Sequence, residues 1–249
     1  MQLGLKDKVA LVTGAGGGIG TAIASALADE GCIVYSGDSN PESAARTASL
    51  LGDKGHALEL DVGDAQGLVH KVQEIVNRQG KIDILVNNAG ILKIGSLVDA
   101  SIDDWDQVCK VNLSGVYYCS KAVLPAMLAQ RSGKIINIAS ISAFRGGGVF
   151  GNVLYGTTKA GVIAMTKGFA RELAPFGINV NAIAPGLADT EMTHSLLTPE
   201  KHRAVAAAIP LGRLAAPADI ARVVTLLASD ACQYVTGETI VVDGGYLTR

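Results

Sequence analysis

A short β-branched run, Val9-Ala-Leu-Val-Thr13, passes directly into Gly14-Ala-Gly-Gly-Gly18-Ile-Gly20 and then into an Ala-rich stretch over 21–30. This succession restricts the fold more than any other part of the chain. The apolar run reads as a buried strand and the Ala-rich stretch as a helix, so the glycines form a tight strand-to-helix turn. Small residues there let backbone approach a pyrophosphate, and the helix N-terminus turns free N–H groups and a positive dipole end towards it. The same pattern also serves a βα turn that holds no ligand, and both readings stand at this point.

The pattern repeats along the chain. Strands are predicted over 32–36, 56–60, 82–86, 134–139, 178–183 and 238–242, and helices over 41–53, 65–79, 104–130, 155–175 and 217–229. With the first strand this makes about seven strands alternating with helices, the order of an α/β, doubly wound parallel sheet with helices on both faces. A 49% hydrophobic content with 30 glycines and only 4% aromatics suits a Val/Ile/Ala-rich sheet of this kind. No linker, charge run or low-complexity segment interrupts it, so residues 1–249 are read as a single domain. Ser101-Ile-Asp-Asp104 has the form of a capping box. Asn112 interrupts the 104–130 helical run and marks a break or a site, and Pro125 is expected to bend it. The stretch 190–211, rich in small apolar residues, is read as a lid over a substrate, and the Gly146-Gly-Gly148 loop within 141–154 as mobile at its tip.

The chemistry-bearing residues gather at predicted strand ends, where open α/β sheets hold ligands. Asp38 lies 18 residues past Gly20, near the offset at which an acidic side chain grips adenosine ribose hydroxyls. A carboxylate there repels a 2′-phosphate, and no Arg or Lys lies in the turn or directly after Asp38, so the pattern favours NAD over NADP. A solvated turn Asp before Ser39-Asn40-Pro41 remains the alternative. Asn87 and Asn88 end the 82–86 strand and suit hydrogen bonds to ligand or backbone, while Ser140 ends the 134–139 strand. Tyr155 and Lys159, four residues apart, share a helix face, where the ammonium is expected to lower the phenol's pKa.

Other classes of function find little support. A formal charge of −2 leaves no basic footprint for nucleic acid, and no apolar run reaches the roughly 18 residues of a spanning helix. The first residues lead straight into a strand and do not read as a signal peptide. Cys32, Cys109, Cys119 and Cys232 have no metal-ligand spacing and read as buried free thiols of a reducing, cytoplasmic setting. His56, His70, His194 and His202 are scattered in sequence, so no metal site is expected.

Taken together, Thr13-Gly14-x-x-x-Gly18-x-Gly20, Asn87-Asn-Ala-Gly90, Asn112, Ser140, Tyr155-x-x-x-Lys159 and Pro185-Gly186 resemble the short-chain dehydrogenase/reductase family, in order and spacing and over nearly the whole chain. The resemblance implies a Rossmann-type sheet and a catalytic set of Asn112, Ser140, Tyr155 and Lys159. Tyr155 would exchange a proton with the substrate oxygen, which Ser140 hydrogen-bonds. Lys159 would hold the nicotinamide ribose and lower the Tyr pKa, and Asn112 would hold a helix break and a water linking Lys159 to solvent. For the cofactor the resemblance implies Gly14, Gly18, Ile19 and Gly20 under the pyrophosphate, Asp38 on the adenosine ribose, and Asp61 and Val62 at the adenine. Asn88, with Ala89 and Gly90, would border the nicotinamide. Pro185, Gly186, Ala188 and Thr190, together with Tyr155 and Lys159, complete the set, with Thr190 beside the carboxamide. The family's Ser usually precedes its Tyr by about thirteen residues, which falls on Ser142, whereas the strand-end register favours Ser140 and implies two extra residues in the glycine-rich loop.

The leading expectation is therefore an NAD-dependent dehydrogenase of a secondary alcohol, a polyol or a small hydroxy compound. The alternative is a 3-oxoacyl-carrier-protein reductase, a branch that usually prefers NADPH and docks an acidic carrier. Arg131 could serve that docking, but Ala174-Pro175-Phe176-Gly177 lacks an Arg that the branch often has there. A nucleotide-binding sensor without catalysis is a third reading, opposed by the intact catalytic set. Family resemblance also implies a homotetramer, with the Tyr-bearing helix and last strand at its interfaces.

Overall fold

The computed structural model of the chain describes residues 3–149 and 152–248. Phe150 and Gly151, part of the loop read over 141–154, lie outside the described residues, as do Met1, Gln2 and Arg249.

Seven strands pair in parallel in the order β3-β2-β1-β4-β5-β6-β7. They are β1 (Val9–Thr13), β2 (Ile33–Asp38), β3 (Gly55–Glu59), β4 (Ile84–Asn87), β5 (Gly133–Ile138), β6 (Ile178–Pro185) and β7 (Thr239–Val242). The chain runs outward from β1 to β3, then returns to lay β4 against the other side of β1. The crevice between the carboxyl ends of β1 and β4 is thus the topological switch point.

Alternation along the central strands builds two cores. Val9 and Leu11 of β1 face one layer and Ala10 and Val12 the other. The first layer packs against α3 (Ala65–Gln79) and α5 (Gly115–Gln130) through Leu68, Val72, Ile75, Val123 and Met127. The second packs against α1 (Gly18–Asp29) and α10 (Pro217–Ala228) through Ile23, Ala24, Leu27, Val224 and Leu227. Each of these side chains is 3% exposed or less, and full burial of an aliphatic side chain contributes about 1.5–3 kcal/mol.

Differences from the predicted elements have local causes. α1 starts at Gly18, so the second half of the glycine motif is the helix's first turn. α2 (Pro41–Leu50) stops early because Gly52, at φ 58°, opens a 3₁₀ turn. The 104–130 run divides into α4 (Ile102–Cys109), a π-helical turn over Lys110–Ser114 and α5, with Asn112 in the middle of the π turn. The capping box on α4 forms, with Asp104 N–H donating to Ser101 Oγ at 3.0 Å and Ser101 N–H to Asp104 Oδ2 at 3.2 Å. A one-turn helix, α6 (Ser142–Arg145), occupies the glycine-rich loop. α7 (Val153–Leu173) begins two residues before Tyr155 because the Asn152 side chain accepts Leu154 N–H at 3.1 Å. The 190–211 stretch holds α8 (Glu191–Leu196) and α9 (Pro199–Ala208).

Cys32 and Cys119 are buried, and burial pushes both thiols up to about 12. Cys109 and Cys232 are only half-buried, so the expectation of four buried thiols holds for two; all four are free. Among the described residues, no helix is long and apolar enough to cross a membrane.

Candidate active site

The glycine turn leaves β1 with Gly14 at φ 61° and enters α1 with Gly18 at φ 53°, both in the left-handed region that side chains disfavour. A Cβ on Gly20 would lie 2.0 Å from the Gly14 carbonyl oxygen, so the helix packs on the turn through bare backbone. A Cβ on Gly17 would meet nothing within 4 Å, which leaves the cradle open on its outer side. Gly17, the N-cap of α1, brings no side-chain cap, and the first turn carries no acidic residue. The positive end of the helix is therefore free for an anionic group, and the turn fits a nucleotide pyrophosphate. Ile19 packs partly buried against the core and holds the turn down.

Asp38, the last residue of β2, points its carboxylate at this turn. Its Oδ2 accepts Gly16 N–H at 2.9 Å and its Oδ1 accepts Asn40 N–H at 3.0 Å. The charge is held at the rim of the cradle and is not simply a solvated turn residue. Of the adenine-side pair, Val62 is 6% exposed and packs under Gly115, whereas Asp61 is exposed and accepts Gly63 N–H at 2.8 Å.

The two asparagines after β4 serve different ends. Asn88 spends its amide on the carbonyls of Thr13, at 3.0 Å, and Gly14, at 2.9 Å, bracing the turn from below. Thr13 Oγ1 in turn accepts the N–H groups of Asn88 and Ala89, each at 3.1 Å. Sequence reasoning did not single out Thr13 for this bracing. Asn87 is 2% exposed and donates to Ser120 Oγ at 3.2 Å and Asn137 Oδ1 at 2.8 Å; Asn137 donates onward to Thr166 at 2.9 Å. This buried polar ladder ties β4 and β5 to the helices above, and only its three-dimensional closure reveals it.

Asn112 is fully buried and grips the loop after Gly90: its Oδ1 accepts Ile91 N–H at 2.8 Å and its Nδ2 donates to Ile91 O at 2.9 Å. A Cβ on Gly90 would sit 3.4 Å from Asn112 Oδ1 and 3.5 Å from Lys159 Nζ, so a bare backbone lies between the two. The expected helix break is present as the π turn, and the Asn side chain is committed to the 90–91 backbone.

Lys159 is 3% exposed, and its Nζ donates to the Ile138 carbonyl at the end of β5 over 2.7 Å. Burial pulls its pKa down to about 8. The ammonium lies 5.7 Å from the Tyr155 ring centroid. Burial raises the Tyr155 pKa above its ordinary value, and a hydrogen bond with Ser140 opposes that rise. The residue as a whole is half-buried, yet desolvation dominates at the phenol. This corrects the expectation that Lys159 lowers the phenol's pKa in the chain by itself. The two groups share a low-dielectric pocket, burial acts on both, and the hydroxyl of Ser140 is the group that favours the phenolate. Ser140 also accepts Ser142 N–H at 3.1 Å, while Ser142 Oγ lies where a Cβ on Gly148 would meet it at 2.7 Å. Of the two serines, Ser140 faces Tyr155 and Ser142 faces the glycine loop.

The last predicted residues lie at and just beyond the carboxyl end of β6. The Pro185 carbonyl accepts Ile141 N–H at 3.1 Å, and Gly186 N–H donates to Val242 O at 2.8 Å. Ala188 is 7% exposed and its carbonyl accepts Thr193 Oγ1 at 2.6 Å. Thr190 caps α8, and its Cγ2 would lie 3.3 Å from a Cβ on Gly18, so the start of the 190–211 stretch rests against the glycine turn.

Fold and site together define a class: an oxidoreductase built on a nucleotide-binding parallel sheet. The family model described as "Enoyl-(Acyl carrier protein) reductase" matches residues 14–247. A crystal structure of a short-chain type dehydrogenase/reductase from Mycobacterium marinum superposes with a TM-score of 0.93 at 32% identity, covering 100% of this chain and 98% of that one. The chain belongs to the short-chain dehydrogenase/reductase family. It is 44% identical to the 3-oxoacyl-[acyl-carrier-protein] reductase FabG of Thermotoga maritima, over 97% of this chain and 98% of that protein. To the protein of the same name from Escherichia coli it is 40% identical, over 98% of each.

Proposed function

We propose that the chain is an NAD(H)-linked reductase of 3-oxoacyl thioesters. The observation that carries the reaction type is the Tyr155 ring 5.7 Å from the buried ammonium of Lys159, with the Ser140 hydroxyl acting on the phenol to favour its ionised form. Two hydroxyls converging at a strand's carboxyl end can hold one oxygen, which suits reduction of a ketone better than of a carbon–carbon double bond. The substrate class rests on the relatives named 3-oxoacyl-[acyl-carrier-protein] reductase, which match nearly the whole chain. They displace the polyol expectation in favour of the acyl thioester.

A bound nicotinamide nucleotide supplies the hydride. Gly14, Gly18, Ile19 and Gly20 form the cradle for its phosphates, Asp38 takes the adenosine ribose, and Asp61 and Val62 flank the adenine. Asn88, Ala89, Gly90, Pro185, Gly186, Ala188 and Thr190 line the nicotinamide side, and Lys159 holds the ribose there. Ser140 orients the substrate oxygen and Tyr155 gives it a proton as the carbonyl carbon is reduced. Asn112 fixes the 90–91 backbone against which Lys159 lies. A cation brought against the phenol offsets the burial that holds the Tyr155 pKa up.

The NAD preference rests on Asp38, whose carboxylate is fixed on Gly16 N–H where a 2′-phosphate would have to approach. A second reading, a small secondary alcohol as substrate, is favoured at the 174–177 turn. There Phe176 is 39% exposed, and Arg131 directs its guanidinium to the Pro175 carbonyl at 3.1 Å. The test is reduction of acetoacetyl thioesters, on a carrier protein and on a short pantetheine mimic, with NADH and with NADPH. Efficient reduction with NADH supports the proposal. Oxidation of polyols without thioester reduction would replace it with the second reading, and a preference for NADPH would remove the role given to Asp38. We further propose a cytoplasmic homotetramer.

A further inference from the structure

His194 and His202 sit on different helices with no ligand-like motif between them, yet the 197–198 turn folds α9 back so that both rings face Asp189. His194 Nε2 lies 2.5 Å from Asp189 Oδ1, and His202 Nε2 lies 3.6 Å from the same oxygen. The three potential ligand atoms are all within 4.8 Å of one another, and the two rings are tilted by 59° with centroids 6.1 Å apart. We propose that Asp189, His194 and His202 form a zinc-class divalent metal site that clips α8 and α9 to the segment following β6.

One imidazole on a carboxylate is an ordinary hydrogen bond, but two imidazoles meeting at one carboxylate oxygen form a ligand set. Two nitrogens and one oxygen suit Zn²⁺ and neighbouring transition metals, and are poor ligands for Mg²⁺ or Ca²⁺. Zn–N and Zn–O bonds of about 2.0–2.2 Å in a tetrahedron place ligand atoms about 3.3–3.5 Å apart. The 3.6 Å pair already fits, the 2.5 Å pair must open by about 0.9 Å, and the longest separation must close by up to about 1.4 Å. The side chains can make these shifts by torsion, being 61%, 36% and 45% exposed for His194, His202 and Asp189. That exposure leaves a fourth position for water. Of the two basic residues flanking His202 on α9, Arg203 is engaged with Glu200 at 3.5 Å. The site shares no residue with the Ser140–Tyr155–Lys159 group. It adjoins Thr190, so a bound metal would fix the lid where it meets the glycine turn.

The test uses the full chain, dialysed against a chelator and titrated with Zn²⁺ in competition with a chromophoric chelator. One Zn²⁺ per chain is expected, with Kd on the order of 1–10 µM, weaker than closed structural sites because the ligands are exposed. His194→Ala and His202→Ala should each weaken binding at least ~10-fold while leaving NADH binding unchanged. Co²⁺ should give visible absorption without the thiolate charge-transfer band of a cysteine site. Binding weaker than about 100 µM, or binding that survives both substitutions, overturns the proposal. Should an Ala variant lose NADH binding, His194→Asn and His202→Gln make the same comparison with less change in shape.

Discussion

Burying Lys159 works against stability while serving the site. Its folded pKa of about 8 lies below the ordinary 10.5, so between those values the unfolded chain binds more protons than the folded one. Stability therefore rises with pH across 8–10.5, and below pH 8 the charged lysine carries a burial cost of about 3 kcal/mol. Lys159→Met removes that cost and leaves the Ile138 carbonyl without its donor, a loss of about 1 kcal/mol. The variant should be more stable than the wild type by about 1–2 kcal/mol in urea melts at pH 7, with the gap closing towards pH 10.5, and should not turn over. A less stable variant at pH 7 would mean that the Ile138 bond outweighs desolvation. Tyr155→Phe keeps the ring in place and removes the proton. Expected is a fall in kcat of about 10²–10⁴-fold with NADH binding retained; near-normal turnover would refute the acid/base role. The Tyr155–Lys159 spacing was legible in the sequence, because helical periodicity alone puts the two on one face. The phenol's raised pKa was not, because desolvation depends on what covers the pocket.

At the scale of the element, the glycine turn separates packing from ligand space. Gly20 is pressed on the Gly14 carbonyl and the Asn88 amide, so Gly20→Ala should cost at least ~2 kcal/mol of stability and weaken NADH binding through the damaged turn. Gly17 has extended backbone, at φ −175°, and open space where a Cβ would stand. Gly17→Ala should change stability by less than about 0.5 kcal/mol yet weaken NADH binding, because its methyl enters the cradle. Thermal melts and fluorescence titration of both variants check this. Equal loss of stability in the two, or unchanged NADH affinity in Gly17→Ala, would count against a pyrophosphate there. The break at Asn112 was visible in sequence because Asn is a poor mid-helix residue. Its form as a π turn, and its grip on Ile91, required the loop after β4 to return against it.

For the whole molecule, the tetramer proposal places an interface on the outer faces of α5 and α7, where Tyr117 is exposed and Phe169 half-buried. Tyr117 is 47% exposed and its ring lies tilted at 44° to that of Phe169, 6.3 Å between centroids, and Val241 on the edge strand β7 is 40% exposed. Light scattering is expected to return about four times the 25.6 kDa chain mass, and a monodisperse monomer would end the tetramer proposal.

Legible from the chain alone were the order of strands and helices, the glycine turn, the acidic residue that ends β2 and the Tyr–Lys pair. Each is written in local periodicity or spacing over a few residues. The tertiary structure decided which serine faces Tyr155, that Asn88 braces the turn, how burial biases Tyr155 and Lys159, and that two scattered histidines meet one aspartate. These depend on where a loop returns and on what excludes water from a pocket, and neither is encoded in any single stretch of chain.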